Sequence, residues 1–239
     1  MHDDDRTIGR LLTRREVLAL AGAGGVALFT RSTRPAFARA MPQCIVRPAQ
    51  TEGPYFVDTK LNRPDIRSDP SDGSVRPGVP LLVTLAVSRV GAGACTPLAD
   101  AHVELWQCDH MGIYSGVRDR TFDTLEKKFL RGYQVTDAQG IVKFTTVYPG
   151  WYPGRTVHLH FKVRSAPTAT PGFDFTSQLY FDDELTDRVH ASALYAEHAG
   201  SRSRNASDGI YRAGGAQLML QVSGDASGYA GTFHVGLDV

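Results

Sequence analysis

Beyond Gly78 the sequence is cut into short β-prone runs, each ended by a cluster of glycine, proline or aspartate, and that spacing leaves few folds open. "GVPLLVTLAVSRV" stops at "GAGA", "AHVELWQCD" and "RTVHLHFKV" alternate apolar with polar residues, and "TSQLYFDD" is a further short run. The stretch "FLRGYQVTDAQGIVKFTTVYPG" holds two runs around Asp137-Ala138-Gln139-Gly140, which predicts a hairpin. "AQLMLQV" and "GYAGTFHVGLDV" predict the closing strands. Only "DELTDRVHASALYAEH" has helical character, with Asp182 or Asp183 at its N-cap. Many short strands at turn-spaced intervals predict an all-β fold: an antiparallel β-sandwich core with long irregular connections and one short helix.

The N-terminal residues read differently. "TRREVLALAGAGGVALF" places Arg14 and Arg15 ahead of a mildly apolar, glycine-rich run from Val17 to Phe29. That run is shorter than the roughly 20 residues a membrane span needs. Ala38-Arg39-Ala40 satisfies a small-x-small cleavage rule. Because the charges sit at one end and not along one face, an ordinary amphipathic helix fits less well. The pattern predicts a twin-arginine-type signal peptide over residues 1–40, use of the twin-arginine export machinery, and an exported product, periplasmic or extracellular, cleaved near Ala40. Retention of the signal as an anchor stays open. Such signals serve proteins exported already folded, often with a cofactor inside, which is a first pointer to a metal.

Residues 41–80 are rich in Pro, Asp, Arg and Ser and predict an irregular arm; residues 81–239 predict the β-sandwich domain. Cys44, Cys95 and Cys108 allow three pairings with one thiol left over, and their spacing does not suit a zinc site. The formal charge of +1, with much of the arginine in residues 1–40, excludes nucleic-acid binding by bulk charge.

The chemistry concentrates in "YPGWYPGRTVHLHFKV". On a strand, His158 and His160 point the same way, with Val157, Leu159 and Phe161 on the other face. A bare His-x-His pair is by itself more often a chance pair on a solvated face. Here a Pro/Gly turn aims Tyr152 and Arg155 near the same end. The His-x-His metal site of double-stranded β-helices has a glutamate three or four residues on; Lys162, Val163, Arg164 and Ser165 follow here, so other ligands must come from elsewhere. Tyr114, just past a strand end, and Tyr152 are candidates. A phenolate is a hard anionic donor, and with two neutral imidazoles it suits Fe(III).

Together, "TEGPYF", "VELWQCDHMGIYSG", "FLRGYQVTDAQGIVKFTTVYPGWYPGR", "RTVHLHF" and "TSQLYF" resemble the intradiol ring-cleavage dioxygenases, which include the catechol 1,2- and protocatechuate 3,4-dioxygenases; small exported members are especially similar. The resemblance covers about Gln50 to Asp182. It implies one non-haem Fe(III) per chain, held by Tyr114, Tyr152, His158 and His160, with Tyr152 and His160 axial and Tyr114 and His158 equatorial. It also implies catalytic roles for Arg155, Gln178 and a displaceable Tyr152. The expected activity inserts both atoms of O2 into a catechol-type ring, cleaving between the hydroxylated carbons to a muconate-type diacid.

The sequence departs from many relatives in the short Pro153-Gly154 connection and in Gln107, where histidine is frequent. Tyr55 and Trp151 are candidate pocket walls and equally candidate core residues. His102, His110, His190, His198 and His234 read as structural or exposed. The rival readings are an exported, transthyretin-like binding module without catalysis and a zinc metallohydrolase using the same histidines. Two tyrosinates fit a catalytic zinc site poorly. The sequence leaves the particular substrate and homo-oligomer formation open.

Overall fold

The computed structural model describes residues 45–91 and 94–239. The signal reading and Cys44 therefore lie outside the described residues. Among the described residues, nine strands form two sheets. In one, β1 (Pro80–Gly91) pairs antiparallel with β2 (Ala94–Pro97) and β5 (Ile141–Val147) along one edge. Its other edge pairs with β9 (Gly228–Leu237), which in turn carries β8 (Val222–Asp225). The second sheet has the order β4-β3-β6-β7, from β4 (Arg131–Val135), β3 (His102–Trp106), β6 (His158–Arg164) and β7 (Asp174–Tyr180).

Alternation drives the stacking of the sheets. Leu81, Val83, Leu85 and Val87 of β1 are buried, as are Phe144, Phe233 and Val235 beside them. They share one apolar cluster with Val103, Leu105, Leu159, Phe161, Val163 and Leu179 of the other sheet. Each such side chain contributes about 1.5–3 kcal/mol relative to exposure, so the inner faces hold the sandwich shut.

The all-β sandwich matches the sequence expectation, with three differences. The Asp137 turn forms, with Asp137 Oδ1 accepting from the amides of Gln139 (2.8 Å) and Ile141 (2.9 Å). Gly140 adopts φ +73°, and a Cβ there would lie 2.2 Å from Val87 O, so only glycine fits. Yet β4 and β5 do not make a hairpin: β4 pairs with β3 and β5 with β1, so the turn carries the chain from one sheet to the other. Second, β1 and β9 run parallel. A parallel pair needs a crossover of a dozen or more residues, and the long path from β1 to β9 supplies it. Periodicity reports the buried face of a strand, not its neighbour or direction. Third, the described residues hold more than one helix: α1 (Asp183–His190), α2 (Ala193–Ala196), α3 (Gly209–Arg212) and two 3-10 turns, one of which, Gly215–Leu218, takes the first three residues of the expected "AQLMLQV" strand. Asp182 is the cap of α1, accepting from Leu185 N at 2.9 Å. Cys95 is disulfide-bonded, whereas Cys108 is free and buried.

The outer face of the second sheet positions the site. Six consecutive residues of β6, from His158 to Val163, are buried, so the strand is covered on both faces. The outer cover is residues 48–56. Pro48 O accepts from Ser177 Oγ (2.8 Å), Gln50 N donates to Thr176 O (2.9 Å), and Thr51 O accepts from Gln178 Nε2 (2.8 Å). Lys162 Nζ meets Glu52 at 2.6 Å, and Phe56 packs edge-on against Trp106, ring centroids 5.0 Å apart.

Glu104 lies on this covered face, 3% exposed and 2.8 Å from Arg164. Burial raises its carboxyl pKa to about 7 despite Arg164. The folded pKa is thus above the unfolded value, so the folded chain binds a proton that the unfolded chain has released. The associated stability is full below the unfolded pKa and is lost as pH rises through about 7. Urea midpoints are expected to fall across that window and Glu104→Gln to flatten the slope. An unchanged slope in the variant would exclude Glu104 as its source.

Candidate functional site

Tyr152-Pro153-Gly154-Arg155 forms a tight turn closed by Arg155 N donating to Tyr152 O at 3.4 Å. Proline at the second position presets φ, and Gly154 at the third supplies φ +86°. The turn puts Tyr152 and Arg155 at the start of β6, beside His158 and His160. Tyr114 reaches the same place from the loop after β3; its ring lies 5.7 Å from that of Tyr152 and 6.2 Å from that of His160, centroid to centroid. The structure thus brings all four expected ligands together. Tyr114, His158 and His160 are buried, and Tyr152 is half-buried.

The polar atoms of this cluster are overcommitted in one place and orphaned in others. His158 Nδ1 donates to Thr156 O (2.6 Å), so Nε2 carries the lone pair. Around that one lone pair stand Tyr152 Oη and His160 Nε2, each at 3.1 Å, and Arg155 Nη1 at 3.5 Å. Meanwhile Tyr114 Oη and His160 Nδ1 are buried without a hydrogen-bond partner. Burial, reinforced by the Arg155 charge, lowers the His158 pKa to about 3; burial and His158 hold His160 well below the usual histidine range. Both imidazoles are neutral donors at physiological pH. Burial raises the pKa of both Tyr114 and Tyr152, a trend that a bound cation reverses. Two neutral imidazoles and two ionisable phenols fit a hard trivalent ion. Among the described residues no group of three or more His, Cys, Asp or Glu side chains could hold a metal. The ionisable oxygens that stand beside this histidine pair are those of Tyr114 and Tyr152.

A family model described as "Dioxygenase" matches residues 51–199, a span that contains every one of these side chains. The chain belongs to the intradiol ring-cleavage dioxygenases. It is 30% identical over 154 residues to a chlorocatechol 1,2-dioxygenase of Pseudomonas sp. strain P51, covering 57% of this chain and 55% of that one. The chain spans about half the length, or less, of the curated relatives it matches. An intradiol ring-cleavage dioxygenase from Tetranychus urticae superimposes with a TM-score of 0.67 at 31% identity, covering 81% of this chain and 94% of that one. The dioxygenase domain of a carbohydrate-binding fusion from Streptomyces sp. SirexAA-E does so with a TM-score of 0.56 at 30% identity, covering 82% and 99%. The family generally uses non-haem Fe(III) and acts on catechol-type compounds with O2.

In this intradiol dioxygenase chain the other two expected site residues form one network. Arg155 Nε donates to Asp208 Oδ2 (2.8 Å) and Nη2 to Gln178 Oε1 (2.5 Å). Gln178 Oε1 also accepts from Tyr180 Oη (3.0 Å), while its Nε2 holds Thr51 O of the covering segment. Tyr55 stacks on Tyr114 at 4.7 Å and its hydroxyl donates to Asp119 (2.8 Å), so it walls the site as expected. Trp151 does not: its ring stacks on His198 at 4.2 Å.

The remaining histidines stand outside the cluster; His102 stacks on Tyr133 and His190 Nε2 lies 3.0 Å from Pro149 O. Sequence reasoning missed Asp208, Thr156 and Trp106, whose indole stacks on His160 at 4.9 Å. Asp208-Gly209 ahead of "IYR" was a legible N-cap signal; nothing local in the sequence tied it to Arg155.

Proposed function

We propose that this dioxygenase cleaves catechol-type rings between the two hydroxylated carbons, with both atoms of O2 entering a muconate-type diacid, and that Tyr114, Tyr152, His158 and His160 hold one Fe(III) per chain. The observation that carries the reading is the convergence of two phenols and two imidazoles, with three polar atoms crowded around one His158 lone pair and a buried phenol oxygen that has no hydrogen-bond partner. Bound there, Fe(III) supplies the positive charge that favours catecholate over catechol and makes the ring reactive toward O2.

The chain's own residues do the rest. Thr156 O keeps the His158 proton on Nδ1, so the ring presents Nε2. As a phenolate, Tyr152 Oη would be a strong base for a catechol proton, because burial favours its protonated form. Arg155 turns Nη1 toward the cluster and offers fixed positive charge to an anionic ring. Tyr55, Phe56 and Trp106 form an aromatic wall that keeps water away.

The test is metal analysis with oxygen uptake on catechol, hydroxyquinol, protocatechuate and a substituted catechol. Stoichiometric iron, a red to burgundy protein and an ultraviolet-absorbing muconate are expected. Stoichiometric zinc, or a yellow semialdehyde product, would rule the proposal out. A colourless protein that binds but does not consume O2 would point to a binding module instead.

A further inference from the structure

We infer that Asp208 is a positioning residue that sets both the cation and the imidazole of the site through one carboxylate oxygen; its catalytic consequence rests on the function proposed above. Asp208 is 1% exposed and lies 53 residues beyond Arg155. Its Oδ1 accepts from the amides of Ile210 (2.7 Å) and Tyr211 (3.1 Å) at the start of α3. Its Oδ2 accepts from Arg155 Nε and from Thr156 N, each at 2.8 Å. Four donors grip the carboxylate, so it is itself immobile.

Two consequences follow from the geometry. With Nε on Asp208 and Nη2 on Gln178, the planar guanidinium has one remaining arm, and that arm, Nη1, faces His158 Nε2. With its amide on the same oxygen, Thr156 is held in the orientation that puts its carbonyl 2.6 Å from His158 Nδ1. Asn205, from the 3-10 turn Asn205–Ser207, fixes the same residue through Thr156 Oγ1 at 2.7 Å. Capping α3 alone would leave Oδ2 without a task, because the cap uses Oδ1. No contact with substrate is needed; Asp208 acts through Arg155 and Thr156.

The test uses the full chain with Asp208→Asn and Asp208→Ser. Both residues are good N-caps, so α3 is retained, and serine is too short to span to Arg155. In iron-loaded protein, iron content is expected to hold while kcat falls about 10–100-fold, the scale for groups that orient metal ligands. In an Arg155→Ala background the same substitution is expected to lower kcat by a clearly smaller factor than in the wild type, because only the route through Thr156 and His158 is left to lose. A drop as large there as in the wild type, or no drop in either, overturns the proposal.

A second readout uses metal-free protein, where the Arg155 Nε–H and His158 Nδ1–H resonances are expected to exchange slowly with solvent in the wild type and rapidly in both variants. Unchanged exchange in Asp208→Ser overturns the proposal even if the wild type cleaves no catechol. A wild type that cleaves no catechol would by itself sink the proposed function and leave Asp208 to be judged by exchange.

Discussion

Tyr114→Phe is expected to lose nearly all iron and ring-cleaving activity while leaving the metal-free fold as stable as before, or more so. The two halves of that result have one cause. Tyr114 Oη is buried among Tyr55, Tyr152 and His160 and has no hydrogen-bond partner. A stranded buried hydroxyl costs about 1–3 kcal/mol, so deleting it from metal-free protein removes a cost and leaves the ring's packing intact. In the proposed iron site the same oxygen is a ligand, so its loss there would be direct.

Tyr152→Phe makes the contrast. Its hydroxyl lies 3.1 Å from His158 Nε2 in a half-buried position, and the other three proposed ligands survive its removal. That variant is expected to keep iron, shift the visible band and slow substrate binding. Metal content, visible spectra and metal-free melting curves on both variants check this. Tyr114→Phe with wild-type iron and Tyr152→Phe without any would reverse the roles.

Arg155→Ala is expected to lower kcat by roughly 10²–10³-fold, the scale for removing one preorganised electrostatic stabiliser, with iron and colour retained. Breaking a buried ion pair costs about 3–5 kcal/mol when the partner is left alone. Asp208 is not left alone: the amides of Thr156, Ile210 and Tyr211 still hold it. The stability loss is therefore expected nearer about 1–3 kcal/mol, and the protein folds. Arg155→Lys keeps the charge but cannot reach Asp208 and Gln178 together while facing His158, so little activity should return. Near-wild-type turnover in Arg155→Ala, measured by oxygen uptake, would remove Arg155 from the chemistry.

The sequence by itself determined most of the strands, their buried faces, and the histidine pair with Tyr152 and Arg155 beside it. Alternation in "RTVHLHFKV" put Leu159 and Phe161 in the core and both histidines on the opposite face, because side chains on a strand alternate. The Pro153-Gly154 pair encoded a turn that could only bring Tyr152 and Arg155 close together, since both φ requirements are local. The position of Tyr114 past a strand end made it a candidate; the family resemblance joined it, and Gln178, to the histidines.

Tertiary structure alone decided the rest. The Asp137 turn reads identically whether its strands pair or part, and only packing of the two sheets sent β5 to β1 and β4 to β3. The parallel β1–β9 pair depends on where a long excursion returns, which periodicity does not encode. The covering segment over the histidines, and Asp208 behind Arg155, join residues more than 50 positions apart through single hydrogen bonds and ion pairs. Such contacts leave no periodic trace in a sequence, because each depends on one atom meeting another only after the chain has folded.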